Sequence, residues 1–154
     1  MKYFLIVLVF FLLFSCAQND KPIVTADLQQ EIKLTIDNYY NELRKEGLAA
    51  ELKYLDSSNQ FFWVPPGYMN YANYNVIAAA IKRNAALLKS IDNRYDSLLI
   101  IPLTKEYAQF VMRTISTTIR ADGDSIKSAF IESGVVVRRK DGWKFLSGQT
   151  SILQ

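Results

Sequence analysis

Two long alternating runs close the chain, Ile126–Arg139 and Trp143–Ile152, joined by Lys140-Asp141-Gly142. An Asp-Gly pair supplies the positive-φ positions of a tight hairpin, so the two runs are expected to pair antiparallel. A run of about 14 residues at ~3.3 Å each would reach roughly 46 Å if straight. A compact chain of this size has a radius of gyration of only about 14 Å. The strand must therefore bend, and Gly134, in its middle, is the natural place for a kink or bulge. Upstream, Tyr95–Leu103 and Tyr107–Ile119 read as two more strands. The second carries Ala108, Phe110, Met112 and Thr114 on one face, and Tyr107, Gln109, Val111, Arg113, Ile115 and Thr117 on the other.

Before these strands the period changes to that of helices. Thr25–Glu46 repeats apolar residues at steps of three and four (Leu28, Ile32, Ile36, Tyr39 or Tyr40, Leu43). Thr25 suits an N-cap, Asp27 lies near the positive end of the dipole, and Gly47 follows the last turn. Leu48–Leu55 predicts a short second helix, ended by Asp56-Ser57-Ser58-Asn59. Gln60–Val64 is a short aromatic strand stopped by Pro65-Pro66-Gly67, and Tyr68–Tyr71 is a candidate return strand. A third helix is expected from an Asn73 cap to about Ser90, burying Val76, Ile77, Ala80, Ile81, Leu87, Leu88 and Ile91. Its alanines would allow close approach to the sheet. Helices followed by long antiparallel strands make an α+β plan, a curved sheet wrapped around three N-terminal helices.

The first residues have a different character. Met1-Lys2-Tyr3 is a short basic start, and Phe4–Phe14 is uncharged and apolar, too short to span a bilayer yet long enough for a signal-peptide core. It ends in Leu13-Phe14-Ser15-Cys16, which resembles the lipobox of bacterial lipoproteins, with Phe14 bulkier than usual. That resemblance implies cleavage before Cys16 and a diacylglyceryl thioether on it, usually with an N-acyl chain such as palmitate. Two acyl chains anchor stably where one does not. An ordinary secretory signal with a spare thiol is the alternative, and the chain's single cysteine has no intrachain partner. The division expected is a signal peptide over 1–15, a lipidated tether over 16–24 and one domain over 25–154, held at the bacterial cell envelope on its periplasmic or surface side.

Composition narrows the chemistry. The net charge is +3, one less once Lys2 departs with the leader. Arg138-Arg139-Lys140 is the sole basic run and reads as a solvated turn, so no nucleic-acid partner is expected. The chain has no histidine, which removes Ser-His-Asp catalysis and the usual zinc sets. Asp122-Gly123-Asp124 lacks the other ligands of a calcium loop, and no Gly-rich phosphate loop appears. Neither metal nor cofactor is expected. Glu106 and Glu132, on or beside strands, are expected at the surface, where carboxylates usually lie.

The order of elements over residues 25–152 resembles the nuclear transport factor 2-like superfamily, and within it the SnoaL-like bacterial domains. Their last strand often reads Gly-Trp-basic-aliphatic, three residues, then His-x-Ser. Here it reads Gly142-Trp143-Lys144-Phe145, Leu146-Ser147-Gly148, Gln149-Thr150-Ser151, with Gln149 in place of the histidine. The resemblance implies a cone in which the sheet and helices enclose a pocket. It also implies homodimers through the sheet face. In isomerase-like members a catalytic Asp precedes Pro-x-Gly at the end of the first strand; Val64 stands in that place and cannot remove a proton. Tyr40 falls near the oxyanion tyrosine of those members.

Three functional readings follow. The first is a non-catalytic binding or interaction domain with a pocket lined by Tyr40, Phe62, Val64, Phe110, Met112, Trp143 and Gln149, suited to a small apolar ligand. The second is a divergent lyase or isomerase using Tyr40 and a carboxylate placed elsewhere. The third is a carbohydrate binder that stacks sugars on Tyr68, Tyr71 and Tyr74 beside Asn70 and Asn73. The first is preferred because the chain shows no acid–base set.

Overall fold

The computed structural model describes residues 25–153; the signal peptide, tether and Cys16 assignments lie outside the described residues. Helix α1 spans Thr25–Glu46 and buries Leu28, Ile32, Ile36, Tyr39, Tyr40 and Leu43, the stripe expected from the three- and four-residue steps. Arg44 and Lys45 sit in its last turn, complementing the dipole, and Gly47 at φ 82° ends it while its N–H bonds back to the Leu43 carbonyl at 2.9 Å. A 3-10 helix follows over Leu48–Lys53, shorter and tighter than the helix expected there. Strand β1 is Phe62–Val64, and helix α2 is Tyr74–Ala85. Four long strands complete the chain: β2 Leu88–Pro102, β3 Tyr107–Arg120, β4 Ser125–Arg139 and β5 Gly142–Leu153.

The sheet order is β1-β5-β4-β3-β2. All neighbours from β2 to β5 are antiparallel, and β1 joins β5 in parallel through Phe62, Trp63 and Val64. The fold is therefore α+β, a curved sheet on helices, as the patterning predicted.

Two expected boundaries move. Helix α2 ends near Ala85, not Ser90, and residues from Leu88 onward are strand. Their backbone groups pair along β3 from Leu88 opposite Arg120 to Pro102 opposite Ala108, so the long β3 gains a partner over its whole length. Leu87, expected in the core, is consequently exposed, and so is Val76, which remains in the helix but off the face that buries Ile77, Ala78 and Ile81. Tyr68–Tyr71 forms no return strand; only Ala72 pairs back, exchanging both backbone bonds with Trp63 at 2.9 and 2.7 Å.

The curvature comes from bulges. On β5 the register slips between Phe145 and Ser147, opposite Val135 and Val136. This moves the inward set from Trp143 and Phe145 to Gly148 and Thr150. Gly134 pairs with Gly148 beside that slip, and a Cβ on Gly134 would lie 2.0 Å from the Ser147 carbonyl oxygen. The bend expected at Gly134 is thus built by two backbones in contact. A second slip between Tyr95 and Ser97 does the same on β2, taking the inward set from Ile91 and Asn93 to Leu98 and Ile100. β3 alternates without interruption, burying Ala108, Phe110, Met112, Thr114 and Ser116.

The narrow end of the cone is closed by Phe110, Val136, Trp143 and Phe145. Trp143 donates its indole N–H to Glu31 at 3.3 Å and lies under the Arg138 guanidinium, 5.1 Å from ring to cation. The connector after the 3-10 helix is tied to β5 through Asp56 N–H to Phe145 O at 2.9 Å and Phe145 N–H to Tyr54 O at 2.8 Å. The buried Asp56 carboxylate pairs with Arg139 and accepts from the Ser58 N–H at 2.8 Å.

Candidate functional site: a carboxyl pair inside the cone

Between the sheet and the helices lies a small cavity lined by Tyr39 of α1, Glu51 of the 3-10 helix, Trp63 of β1, Met112 of β3, Glu132 of β4 and Phe145 of β5, among others. It offers about 30 Å³ to the centre of a water-sized sphere, room for one or two waters. The fold brings each of these side chains inward for a local reason. Tyr39 lies on the buried stripe of α1, and Glu51 stands three residues after Leu48 and four before Leu55, on the side of the 3-10 helix that lines the cavity. Glu132 occupies the same face of β4 as Phe130 and Val136, with Met112 and Thr150 directly across the ladder.

Glu132 is held from two sides. Its Oε1 accepts from the Thr150 hydroxyl at 3.1 Å, and its Oε2 lies 3.5 Å from the Tyr40 hydroxyl. Tyr40 also shares a 2.9 Å hydrogen bond with Thr114 and reaches Met112 Sδ at 3.3 Å. Glu51 is close to the Tyr39 hydroxyl and feels the charge of Glu132. Burial pushes the Glu132 carboxyl up to about 7, with Thr150 and Tyr40 pulling the other way. Burial and the neighbouring Glu132 push Glu51 up to about 8, against the Tyr39 hydrogen bond. Burial and the same carboxylates hold both tyrosines protonated well beyond the ordinary tyrosine range. Burial thus favours the protonated form of both carboxyls, and no Lys or Arg is found among the described residues that line the cavity.

This overturns the expectation that the interior has no acid–base set. Glu132 is not at the surface; the alternation of β4 turns it inward. Glu106 does lie at the surface, bonded to the Thr104 hydroxyl.

The residues assigned to a pocket from sequence divide. Met112 lines the cavity and Tyr40 borders it. Phe110 packs beneath, its ring 5.2 Å from that of Phe145, and Trp143 is buried at the closed end. Phe62 and Val64 flank the inward Trp63 on a three-residue strand and so face outward, with Phe62 43% exposed. Gln149 is also exposed, because the β5 bulge turns its neighbours Gly148 and Thr150 inward. Sequence reasoning missed Glu51, Tyr39 and Trp63. The alternation rule alone would have found Glu132, two residues from Gly134 on a strand whose partner positions bury Met112.

Two other features carry less chemistry. A wider groove of about 480 Å³ between α1 and β2 is open, and its charges pair among themselves: Arg44 and Arg94 with Asp92 at 3.5 and 2.9 Å, Asp37 with Lys33 at 2.8 Å. The three tyrosines proposed as a sugar platform do not act together. Tyr68 and Tyr71 are exposed, Tyr74 packs edge-on against Phe61 at 5.9 Å, and the Asn73 side chain caps α2 by accepting from Val76 N–H at 3.1 Å.

No family model matches the sequence, and no curated protein matches it. Solved structures do. The chain is similar to a nuclear transport factor 2-like superfamily protein from Salmonella enterica serovar Typhimurium, with a TM-score of 0.70 at 16% identity over 84% of this chain and 93% of that one. It is similar to a cystatin-like protein of Caulobacter vibrioides, TM-score 0.64 at 16% identity over 82% and 89%. A type 2 hexachlorocyclohexane dehydrochlorinase aligns with TM-score 0.65 at 11% identity over 84% and 87%. The fold is nuclear transport factor 2-like.

Proposed function

We propose that this chain is a lipid-anchored envelope protein whose domain binds a small organic molecule at Glu51 and Glu132 and moves a proton on it, in a lyase- or isomerase-type reaction. The observation that carries this reading is that two carboxyls, Glu51 and Glu132, face one interior cavity in which no described lining residue is Lys or Arg. One ionised carboxylate can take a proton from a C–H beside a carbonyl or leaving group. Its protonated neighbour can give one to the departing or enolising oxygen, so the pair ends with the same number of protons. A dehydrochlorinase among proteins of this fold is compatible with such chemistry. Turnover of a panel of small ketones and β-substituted carbonyl compounds tests it. Glu132→Gln should lower any activity at least a hundredfold, and equal turnover by mutant and parent refutes the role.

A second reading, binding without turnover, is favoured by Val64 at the first-strand base position and by the lack of histidine; under either reading an occupant larger than water must displace aromatic side chains to enter. Native mass spectrometry showing a retained small molecule in a protein inert to the whole panel supports it. The anchor rests on Leu13-Phe14-Ser15-Cys16. Cys16→Ser should abolish acyl incorporation and release the protein from the membrane fraction; an unchanged membrane fraction and mass would refute lipidation.

A further inference from the structure

We infer that Trp63 and Thr150 are positioning residues that fix which oxygen of Glu132 exchanges its proton, so that Oε2, on the Tyr40 side, is the proton-carrying atom. The geometry is directional. The Trp63 indole N–H, which can only donate, points at Thr150 Oγ1 at 3.0 Å. The single Thr150 hydroxyl hydrogen is thereby left for Glu132 Oε1, 3.1 Å away. Oε1 is an acceptor in both protonation states, and a proton added to Glu132 goes to Oε2. That oxygen lies 3.5 Å from the Tyr40 hydroxyl, whose bond to Thr114 at 2.9 Å can run in either direction. With Glu132 ionised, Tyr40 donates to Oε2. With Glu132 protonated, Oε2–H donates to Tyr40, which then donates to Thr114. The protonation state of Glu132 thus sets the direction of the Glu132–Tyr40–Thr114 half of the chain, while the Trp63–Thr150–Glu132 half keeps one direction.

The backbone makes room for this arrangement. A Cβ on Gly148 would lie 2.7 Å from both Cη2 and Cζ3 of Trp63, so the indole can lie over β5 and reach Thr150 because position 148 has no side chain. The ionisable groups influencing Glu132 are Glu51 from the 3-10 helix and Tyr39 and Tyr40 from α1. Trp63 of β1, Ile77 of α2 and Met112 of β3, which line the same cavity, do not titrate.

The inference holds whether or not the pair turns over a substrate, and its test reads Glu132 directly. The full chain in detergent, labelled with 13C at the glutamate carboxyls and assigned by loss of the Glu132→Gln signal, is titrated by NMR. Thr150→Val should raise the Glu132 midpoint by about half a pH unit or more, because the donor stabilising the ionised form is gone. Thr150→Ser, which keeps the hydroxyl, should return it to the parent value. Trp63→Phe and Gly148→Ala should each raise it by less, since Thr150 then loses its fixed orientation. A Thr150→Val midpoint equal to the parent's, or a Thr150→Ser midpoint equal to that of Thr150→Val, overturns the relay. A parent-like midpoint in Trp63→Phe overturns the part assigned to the indole. None of these outcomes depends on activity, so the relay and the proposed reaction fail separately.

Discussion

Carboxyls that protonate more readily in the folded than in the unfolded chain must make the protein less stable as pH rises. From an ordinary value of 4.5, Glu132 moves up to about 7 and Glu51 to about 8. Between roughly pH 5 and 8 the folded state then binds more protons than the unfolded state, so the slope of unfolding free energy against pH is negative. The stabilisation is complete near pH 4.5 and lost as pH passes the folded values. At ~1.4 kcal/mol per pH unit, the Glu132 change corresponds to about 3 kcal/mol, and solvent reaching the group through the cavity reduces this to about 2 kcal/mol. No histidine titrates in that window. The carboxylates held below their ordinary range, Asp37, Glu42, Asp56, Asp92 and Asp141, act only at lower pH. The perturbation is Glu132→Gln, which keeps an acceptor for Thr150 and removes the charge. Urea unfolding followed by the fluorescence of Trp63 and Trp143 is the assay. The parent midpoint should fall from pH 5 to pH 9. The variant should match the parent at pH 5 and exceed it at pH 9 by about 1 M urea, taking an m-value of ~2 kcal/mol/M. A parent midpoint that is flat or rises over this range, or a variant that tracks the parent throughout, refutes the account of the pair.

Other consequences can be checked by the same unfolding assay. Gly134→Ala places a methyl 2.0 Å from the Ser147 carbonyl oxygen and should cost about 3 kcal/mol or more, since backbone must move; a loss under ~1 kcal/mol would show that the bend does not depend on this contact. Asp56→Asn removes the charge paired with Arg139, whose own side chain is partly exposed and can return to water, and should destabilise by about 1–2 kcal/mol, with a neutral result contradicting the tie between the connector and β5. Tyr40→Phe removes the hydroxyl shared with Thr114 and should cost about 1–2 kcal/mol by leaving Thr114 buried without that partner. The outer sheet face exposes Leu99, Ile101, Ile115 and Ile131. If it forms the expected homodimer, light scattering after size exclusion should give twice the chain mass and Ile115→Glu the single mass, whereas a monomeric parent refutes that partner.

Periodicity made the scaffold legible and left the site largely hidden, for a physical reason. The face of α1 and the buried set of β3 follow from spacing alone because neither element is interrupted. The hairpin at Asp141-Gly142 and the bend at Gly134 were readable because turn chemistry and strand length are local properties. By contrast, the inward residues of β5 after Phe145 and of β2 after Tyr95 depend on bulges, and a one-residue slip exchanges the two faces of a strand. Gln149, placed in the pocket because it stands where the SnoaL-like motif has its histidine, thus faces outward and Thr150 inward. Glu51 was illegible for a different reason: it stands three residues after Leu48 and four before Leu55, at the edge of their apolar stripe, and a carboxylate there reads as the solvated flank of the helix.

That error reverses the functional argument. A missing histidine and a valine at the expected base position exclude one way of building a proton-transfer site, the one in which the first strand supplies the carboxylate. They do not exclude a carboxylate arriving from β4 with a second from the 3-10 helix. Such a pair is costly to bury, and among the described residues no cation lines the cavity to offset the cost, while Glu132 has two hydroxyl partners and Glu51 lies near that of Tyr39. A purely structural interior gains nothing from that arrangement over two leucines of similar volume. The proposed proton transfer would need it, with the Thr150 and Tyr40 hydroxyls favouring the ionised form of Glu132 against its burial.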